Sequence, residues 1–220
     1  MRLSSDHFSW IDLGRLDETI VRKRADLTEI TMYDDFFWST GLKAIRVGEK
    51  DSNAASFGPH YQAVFDKDDG LYTILDTGAS EIYISALYFE DFIDHFFEVH
   101  NVGKADFEST NATTTANCKE TSKWQSIYFL LGDQWIEMRA DDYVIYDERL
   151  RLCQFKFIGI DAPFNIIGLP LYIDYYVSHF MGNGIATMSF STNGRDIKSE
   201  PKLVDPEYTA GRVYQVKLAT

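Results

Sequence analysis

One short stretch, an apolar segment that runs into an acidic turn, constrains this chain more than any other feature. Residues 71–75 read LYTIL, and such a mixture of aliphatic, aromatic and β-branched side chains favours a buried β-strand. The loop that follows consists of Asp76, Thr77, Gly78, Ala79 and Ser80. Because glycine tolerates backbone conformations that other residues avoid, this loop is predicted to reverse the chain. A carboxyl group therefore stands at the end of a strand, next to hydroxyl groups.

The composition predicts one packed, β-rich domain. The chain has 220 residues, of which 45% are apolar and 15% aromatic, enough for a core of its own. Its apolar segments are mostly short, and none approaches the roughly 18 residues that a membrane-spanning helix needs. The formal net charge of −13 argues against nucleic acid or an anionic membrane as a partner.

Apolar segments separated by turn residues predict a series of strands. They cover residues 27–32, 42–47, 61–65, 71–75, 82–84, 126–131, 135–138, 143–146, 153–160, 164–168, 175–180 and 185–190. We expect the third and fourth of these strands to form one hairpin, and the sixth and seventh another. Gly182, Asn183 and Gly184 predict a tight turn between the last two strands.

The clearest helix is predicted over residues 86–99. Ser85 is a suitable N-cap, and Glu90 and Asp91 lie in the early turns, where acidic side chains suit the helix dipole. A broad apolar stripe consists of Leu87, Phe89, Phe92, Ile93, Phe96, Phe97 and Val99. We expect a stripe of this kind to face the core rather than a ligand.

The Asp-Thr-Gly triplet has the chemistry of half an acid–base site. Two carboxylates that share one proton can hold and activate a water molecule, since like charges about 3 Å apart cannot both ionise. A glycine lets two such loops approach closely, and the Thr77 hydroxyl is able to bond across to a partner loop. Asp76 belongs to the one triplet of this kind in the sequence, so the sequence contains one half of such a site.

A second segment, residues 164–168 (FNIIG), follows about ninety residues later. It resembles the segment of two apolar residues and a glycine that threads behind the catalytic loop of pepsin-like aspartic proteases. From about residue 8 to about residue 190, the order and spacing of the elements resemble the C-terminal lobe of such a protease, of the cathepsin D or renin type. The resemblance implies a mostly β single lobe with one main helix and one or two short helices.

The resemblance also implies roles for individual residues. Asp76 corresponds to the catalytic aspartate of the second lobe, and its loop is supported by Thr77, Gly78, Ser80 and Gly168. Ala79 stands where many pepsin-like enzymes have Thr or Ser. Loss of a hydroxyl there weakens the hydrogen bonding that favours an ionised carboxylate, which predicts a less acidic pH optimum than that of pepsin.

Cys118 and Cys153 are the two cysteines, and their spacing matches no redox or zinc motif. From the residues alone they are either two buried free thiols or one disulfide. The resemblance implies the disulfide, because second lobes carry a cysteine pair that brackets a hairpin region. A disulfide in turn implies a secretory or lysosomal-type compartment. The first seven residues contain no apolar signal core, so either the protein is not secreted on its own signal or the chain is a fragment.

Residues 1–190 are predicted to form the pepsin-like lobe, followed by a C-terminal extension over residues 191–220. The extension is polar and contains two prolines, in contrast to the apolar segments before it.

Three further polar residues are candidate sites. Asn111 begins a glycosylation sequon, which matters if the protein is secreted. His95 and His100 lie about 140° apart around the predicted helix, so they share no metal-binding face. We expect no metal and no other cofactor.

Three functions fit these features. In the first, the chain is half of an aspartic endopeptidase, inactive alone, whose partners are a peptide or protein substrate and an N-terminal protease lobe. In the second, it is a catalytically inactive lobe that serves as an accessory or structural subunit of a larger assembly. The third is a homodimer of retroviral type, which is disfavoured because no hairpin flap is evident. The intact loop favours the first function, whereas the absent signal core and the extension favour the second.

Overall fold

The computed structural model describes residues 28–33, 36–48, 61–65, 70–110, 113–119, 121, 123–132, 134–182, 185–192 and 212–216. Its strands are β1 (Thr28–Thr31), β2 (Ser39–Gly48), β3 (Tyr61–Phe65), β4 (Leu71–Leu75), β5 (Ile82–Ser85), β6 (Phe107–Ser109), β7 (Thr114–Asn117), β8 (Ser126–Leu131), β9 (Gln134–Met138), β10 (Val144–Asp147), β11 (Leu152–Phe155), β12 (Phe157–Ile160), β13 (Asn165–Ile167), β14 (Tyr175–Gly182), β15 (Ile185–Thr192) and β16 (Arg212–Val216). Its helices are α1 (Phe89–Val99), α2 (Ala140–Tyr143) and α3 (Leu169–Asp174). The predicted mostly β lobe with one main helix is confirmed.

Strand β2 organises the largest sheet and corrects one prediction. β8 pairs with one edge of β2, while β3 and β4 lie end to end along the other edge. Val64 of β3 lies opposite Ala44, and Leu71 of β4 lies opposite Leu42. The predicted hairpin between β3 and β4 is therefore wrong, because the ten-residue β2 is long enough to pair with both. Gly70, with φ +76°, leads into β4 where a Cβ would lie 2.6 Å from the Leu42 carbonyl oxygen.

The other half of this sheet places two chain segments side by side. β13 pairs in parallel with β4 and antiparallel with β5, and β12 pairs in parallel with β5. Ile167, the last residue of β13, lies opposite Leu75, the last residue of β4. Since parallel strands end at the same edge of a sheet, the residues after β4 and those after β13 leave it together.

Two other hairpins agree with the sequence. β8 pairs with β9 as predicted, with Gly132 at φ +57° in the turn. β14 pairs with β15, which also pairs with β1 to complete a small sheet. β16 pairs in parallel with β3, so residues 212–216 of the predicted extension are hydrogen-bonded to the lobe. The division at residue 190 stays a prediction.

Helix α1 begins three residues later than predicted. Its N-cap is Tyr88, and the proposed N-cap Ser85 ends β5 instead. The pairing of β5 with β12 extends to Ser85, which fixes it in extended backbone. Its hydroxyl donates to the carbonyl oxygen of Ala162 (2.6 Å) and accepts the N–H of Leu87 (3.4 Å). Ser85 therefore stabilises the turn that leads into the helix rather than the helix end.

The apolar side of α1 packs against aromatic side chains from β11 and β12. We call the following buried residues the aromatic core: Phe92, Phe96, Phe97, Trp124, Phe155 and Phe157. The ring of Phe96 lies 5.0 Å from that of Phe157 at a near-perpendicular angle of 72°. Edge-to-face pairs of this kind add to the stabilisation that burial alone provides. The prediction that the helix stripe faces the core is confirmed for the stripe residues from Phe89 to Val99, whereas Leu87 precedes the helix and is exposed.

A disulfide joins two strands beside the aromatic core. Cys118 directly follows β7 and Cys153 lies in the neighbouring β11, with Cα atoms 5.6 Å apart. Both residues are buried, and the indole N–H of Trp124 points at the Sγ of Cys153 (3.4 Å). The disulfide that the resemblance implied is thus present.

Candidate active site

Asp76 stands directly after β4, at the edge where β4 and β13 end together. Its backbone N–H donates to the carbonyl oxygen of Ile167 (3.0 Å). The N–H of Leu75 donates to the carbonyl oxygen of Trp38 (2.8 Å). Side chains along β4 alternate between buried and half-buried, and Asp76 continues the half-buried face of Tyr72 and Ile74. The carboxylate is therefore carried by a strand end that is hydrogen-bonded to two neighbouring segments.

Residues 76–80, which we call the Asp76 loop, curl around the Asp76 carboxylate. The N–H of Gly78 donates to Oδ1 of Asp76 (2.8 Å), and the N–H of Ala79 donates to the Asp76 carbonyl oxygen (3.2 Å). A Cβ at position 78 would lie only 3.2 Å from that Oδ1, so the close approach favours glycine. Thr77, Gly78 and Ser80 are exposed, whereas Ala79 is buried. The backbone orients the carboxylate and leaves the tip of the loop accessible to a partner.

Gly168 lies at the back of the Asp76 loop. Its N–H donates to the carbonyl oxygen of Glu81 (3.1 Å), and the next N–H, of Leu169, donates to that of Ala79 (2.8 Å). A Cβ at position 168 would lie 2.3 Å from the Ala79 oxygen and 2.4 Å from the Glu81 oxygen. Because those are backbone atoms, a side chain has no room there. Asp76, Thr77, Gly78 and Gly168 are thus brought together in one place.

A buried amide behind the loop was missed by sequence reasoning. The Nδ2 of Asn165 donates to Oγ1 of Thr73 (3.1 Å), and its Oδ1 accepts the N–H of Ser85 (3.0 Å) and the hydroxyl of Tyr88. These bonds tie β13 to β4, to β5 and to the start of α1. One polar residue inside the apolar run FNIIG was the available signal, since a buried amide requires partners.

The family model described as eukaryotic aspartyl protease matches residues 1–188. This chain belongs to the eukaryotic aspartyl protease family. The match includes the Asp76 loop, Gly168 and both cysteines. A search of the curated proteins finds no match.

In this aspartyl protease chain, the Ser80 hydroxyl donates to Oε2 of Glu81. The hydroxyl of Tyr83 donates to the same oxygen (3.2 Å), and Nζ of Lys156 donates to Oε1 (3.4 Å). The resemblance implied that Ser80 supports Asp76, whereas its recorded side-chain bond is to Glu81. Sequence reasoning singled out neither Glu81 nor Lys156, because the contact joins residues 75 positions apart.

The Glu81 carboxylate is held in its ionised form. Burial by itself raises the pKa of Glu81. The hydrogen bond from Ser80 and the ammonium of Lys156 outweigh burial, and the pKa ends below its ordinary value. A negative charge therefore persists one residue beyond the Asp76 loop.

Two tyrosine hydroxyls lie within electrostatic reach of Asp76. Burial, and then the Glu81 charge, raise the pKa of Tyr83, and the Asp76 charge adds to the rise. Burial, and then the Asp76 charge, raise the pKa of Tyr172. The Tyr172 hydroxyl is buried and has no hydrogen-bond partner among the described residues. Both phenols stay protonated, and the Tyr83 hydroxyl donates to Glu81.

The other predicted sites lie elsewhere. The disulfide belongs to the sheet of β6, β7, β10 and β11. Asn111 lies outside the described residues, so its glycosylation stays a prediction. In the described ranges, no group of three or more His, Cys, Asp or Glu side chains could hold a metal ion. A search of the same ranges finds no helix with the length and apolar character needed to cross a bilayer.

Proposed function

We propose that this chain is the second lobe of a bilobal aspartic endopeptidase and supplies Asp76 as one of two catalytic carboxylates. One observation carries the proposal: the Asp76 carboxylate is half-buried, oriented by the Gly78 N–H, and stands beside an exposed loop tip. A second loop placed opposite Thr77 would complete the pair. Membership of the aspartyl protease family supports peptide hydrolysis as the reaction.

The chemistry requires both carboxylates. The pair shares one proton, because like charges about 3 Å apart cannot both ionise, and it titrates as a unit. The ionised member takes a proton from a water molecule as that water attacks the peptide carbonyl, and the protonated member donates to the carbonyl oxygen. In the isolated chain, the Asp76 carboxylate can accept a proton from water, but no second carboxyl group is present to donate a proton to the carbonyl oxygen. We therefore expect the isolated chain to be inactive.

Two features support the second lobe rather than the first. The disulfide between Cys118 and Cys153 brackets the segment that contains β8, β9 and β10, as the resemblance predicts for a second lobe. Trp38 directly precedes β2, which matches the predicted entry into such a lobe.

Peptide cleavage at pH 3–6 tests the proposal. The purified chain alone should cleave nothing, and co-expression with a separate protease lobe that carries its own Asp-Thr-Gly should generate activity that an aspartic-protease inhibitor blocks. Asp76→Asn should reduce that activity at least about 1,000-fold, since an amide can neither share the proton nor accept one from water. The exposed Asp106→Asn is the matched control and should retain activity. Cleavage by the chain alone, as a dimer in sedimentation, would favour the homodimer instead.

A non-catalytic subunit is the second candidate. The observation in its favour is that the Ser80 hydroxyl is engaged by Glu81 instead of Asp76. If this candidate is correct, native purification should recover the chain in a stoichiometric complex without any second aspartyl protease lobe. Asp76→Asn should then leave that complex unchanged.

A further inference from the structure

The Ser80 hydroxyl has a single proton to donate, and that proton goes to Glu81. The carboxylate of Asp76, four residues earlier, accepts the N–H of Gly78, which is the one side-chain hydrogen bond recorded for Asp76 in the described part of the chain. Since one O–H cannot donate fully to two acceptors, the bond to Glu81 and a bond to Asp76 exclude each other.

Several contacts hold Glu81 in the position where it accepts the hydrogen bond from Ser80. Its Oε2 accepts from Tyr83 (3.2 Å), and its Oε1 forms an ion pair with Lys156 (3.4 Å). Its carbonyl oxygen accepts the N–H of Gly168 (3.1 Å). Bonds to an ionised acceptor are stronger than neutral ones, so the carboxylate outcompetes water for the Ser80 proton. These partners come from β5, from Lys156 between β11 and β12, and from the residue after β13.

The same cluster borders Asp76. Glu81 and Tyr83 are two residues apart at the start of β5 and project to the same side of the strand. Tyr83 lies opposite Ile166, which in turn lies opposite Ile74, two residues before Asp76. The charges of Asp76 and Glu81 both act on the Tyr83 hydroxyl. The Tyr83 hydroxyl is therefore bonded to Glu81 and also lies within the electrostatic reach of Asp76.

We propose that Glu81 is a positioning residue that holds the Ser80 hydroxyl away from Asp76. The inference deepens the proposed function, since it concerns the loop that would carry the catalytic aspartate. With Glu81 in place, Ser80 anchors the end of the Asp76 loop to β5. Without the Glu81 carboxylate, the Ser80 hydroxyl is released and becomes available to the carboxylate of Asp76, four residues earlier in the same loop. Glu81 thus determines which carboxylate accepts the hydrogen bond from the Ser80 hydroxyl.

The test is a double-mutant cycle read by NMR on the full 220-residue chain, with ¹³C-labelled aspartate at pH 7. The side-chain carboxyl resonance of Asp76 is assigned from the Asp76→Asn spectrum. In the parent chain, Ser80→Ala should leave that resonance in place. In a Glu81→Ala chain, Ser80→Ala should shift the Asp76 resonance, because in that chain the Ser80 hydroxyl donates a hydrogen bond to Asp76. An equal shift in both backgrounds, or no shift in either, would overturn the proposal.

Two further variants separate positioning from folding. Glu81→Gln removes the charge but keeps the length of the side chain, so Ser80→Ala in that background should again shift the Asp76 resonance, because the ionised Asp76 is then the stronger acceptor. Lys156→Met removes the ion pair but keeps the carboxylate, and it should behave like the parent chain. Near-ultraviolet circular dichroism of each variant monitors the fold. No step of this cycle requires catalysis, so the expected shifts, together with no activity when the chain is co-expressed with a separate protease lobe, would refute the proposed function and leave the role of Glu81 intact.

Discussion

Side chains hold the structure around Phe96, whereas the backbone holds it around Asp76. In the aromatic core, Phe96 and Phe157 are buried completely and meet other rings edge to face. In the Asp76 loop, most bonds that fix the chain run between backbone groups or from the Gly78 N–H to the carboxylate, and Gly168 packs directly on carbonyl oxygens. The bond from the Ser80 hydroxyl to Glu81 is a side-chain addition at the end of the loop. The exposed side chains of the loop contribute little to packing.

This difference separates stability from chemistry. A loop that backbone contacts define can present Asp76 and Thr77 to a partner without needing their side chains for folding. By contrast, burial of the aromatic core contributes much of the favourable free energy of folding, and its side chains take no part in the candidate reaction. Substitutions in the aromatic core should therefore change the free energy of unfolding, and substitutions at the tip of the Asp76 loop should change the activity of the proposed two-lobe enzyme.

The largest effect on stability is expected from Phe96→Ala. Phe96 is fully buried, and its ring is surrounded by those of Phe92, Phe97, His100, Trp124, Tyr143, Phe155 and Phe157. Loss of a buried Phe typically costs about 3–5 kcal/mol, and chemical denaturation would measure it. Phe36→Ala is the control, because Phe36 is 85% exposed and should change stability by no more than about 0.5 kcal/mol. Similar losses for the two variants would contradict the packing described here.

Removal of the disulfide should have the next largest effect. Cys118 and Cys153 are 35 positions apart, and closing a loop of that length stabilises the folded chain by about 3–4 kcal/mol in the chain-entropy model. The Cys118→Ser/Cys153→Ser double variant should lose that amount in denaturation measured without reductant. Adding reductant should destabilise the parent chain and leave the double variant unaffected. Equal sensitivity of both proteins to reductant would argue against the disulfide.

The strands were predicted from the sequence with unequal accuracy. Strands β3, β4 and β8 were predicted to the residue, because their apolar runs are bounded by clear turn signals. β6 and β7 were missed, since FES and TTAN are short and polar and pair only through tertiary context. The predicted β3–β4 hairpin failed for a related reason: the turn residues before Gly70 are a local signal, while the pairing partner β2 is distant in sequence.

In the candidate site, too, the contacts that depend on tertiary structure could not be predicted. Asp76, Gly78 and Gly168 could be proposed from the sequence because their chemistry depends on residue type and local backbone, and their roles stay predictions. The partner of Ser80 could not, because a hydroxyl bonds to whichever acceptor tertiary structure brings closest, here Glu81. Asn165 was missed because only its buried position makes its side chain a link between strands.

Acid should destabilise the lobe through His100 at the end of α1. The Nδ1–H of His100 donates to the carbonyl oxygen of Phe96 (2.6 Å), and its Nε2 accepts the N–H of Gln125 (2.9 Å), an arrangement that needs the neutral ring. Burial lowers the pKa of His100 to about 4. The folded-state pKa is thus below the unfolded value of about 6.5, so the stabilisation is complete above pH 6.5 and is lost as the pH falls towards 4.

The loss over that range should reach up to about 3 kcal/mol, measured as the free energy of unfolding against pH. His100→Gln should remove this part of the slope, while His95→Gln, on the same helix, should retain it. Burial also lowers the pKa of His179 to about 4, so part of the slope should persist in the His100 variant. An unchanged slope after His100→Gln would show that His100 does not titrate as described.

Gly168→Ala should have the smallest effect on global stability and the strongest effect on the Asp76 loop. The new Cβ would lie 2.3 Å from the Ala79 carbonyl oxygen and 2.4 Å from that of Glu81, so the loop must move away from β13. Overpacking of this kind costs about 1–3 kcal/mol, less than removal of Phe96, because a loop with an exposed tip yields more easily than a packed core.

Amide chemical shifts of Gly78 and Ser80, recorded together with the free energy of unfolding, would measure both consequences of Gly168→Ala. Gly103→Ala is the matched control: Gly103 is exposed, and the nearest atom to its new Cβ would be the flexible Asp106 carboxylate at 3.5 Å. Large shifts in the Asp76 loop with a modest stability loss would support a loop defined by its backbone. A loss as large as that of Phe96→Ala would mean instead that the Asp76 loop and the aromatic core unfold as one unit.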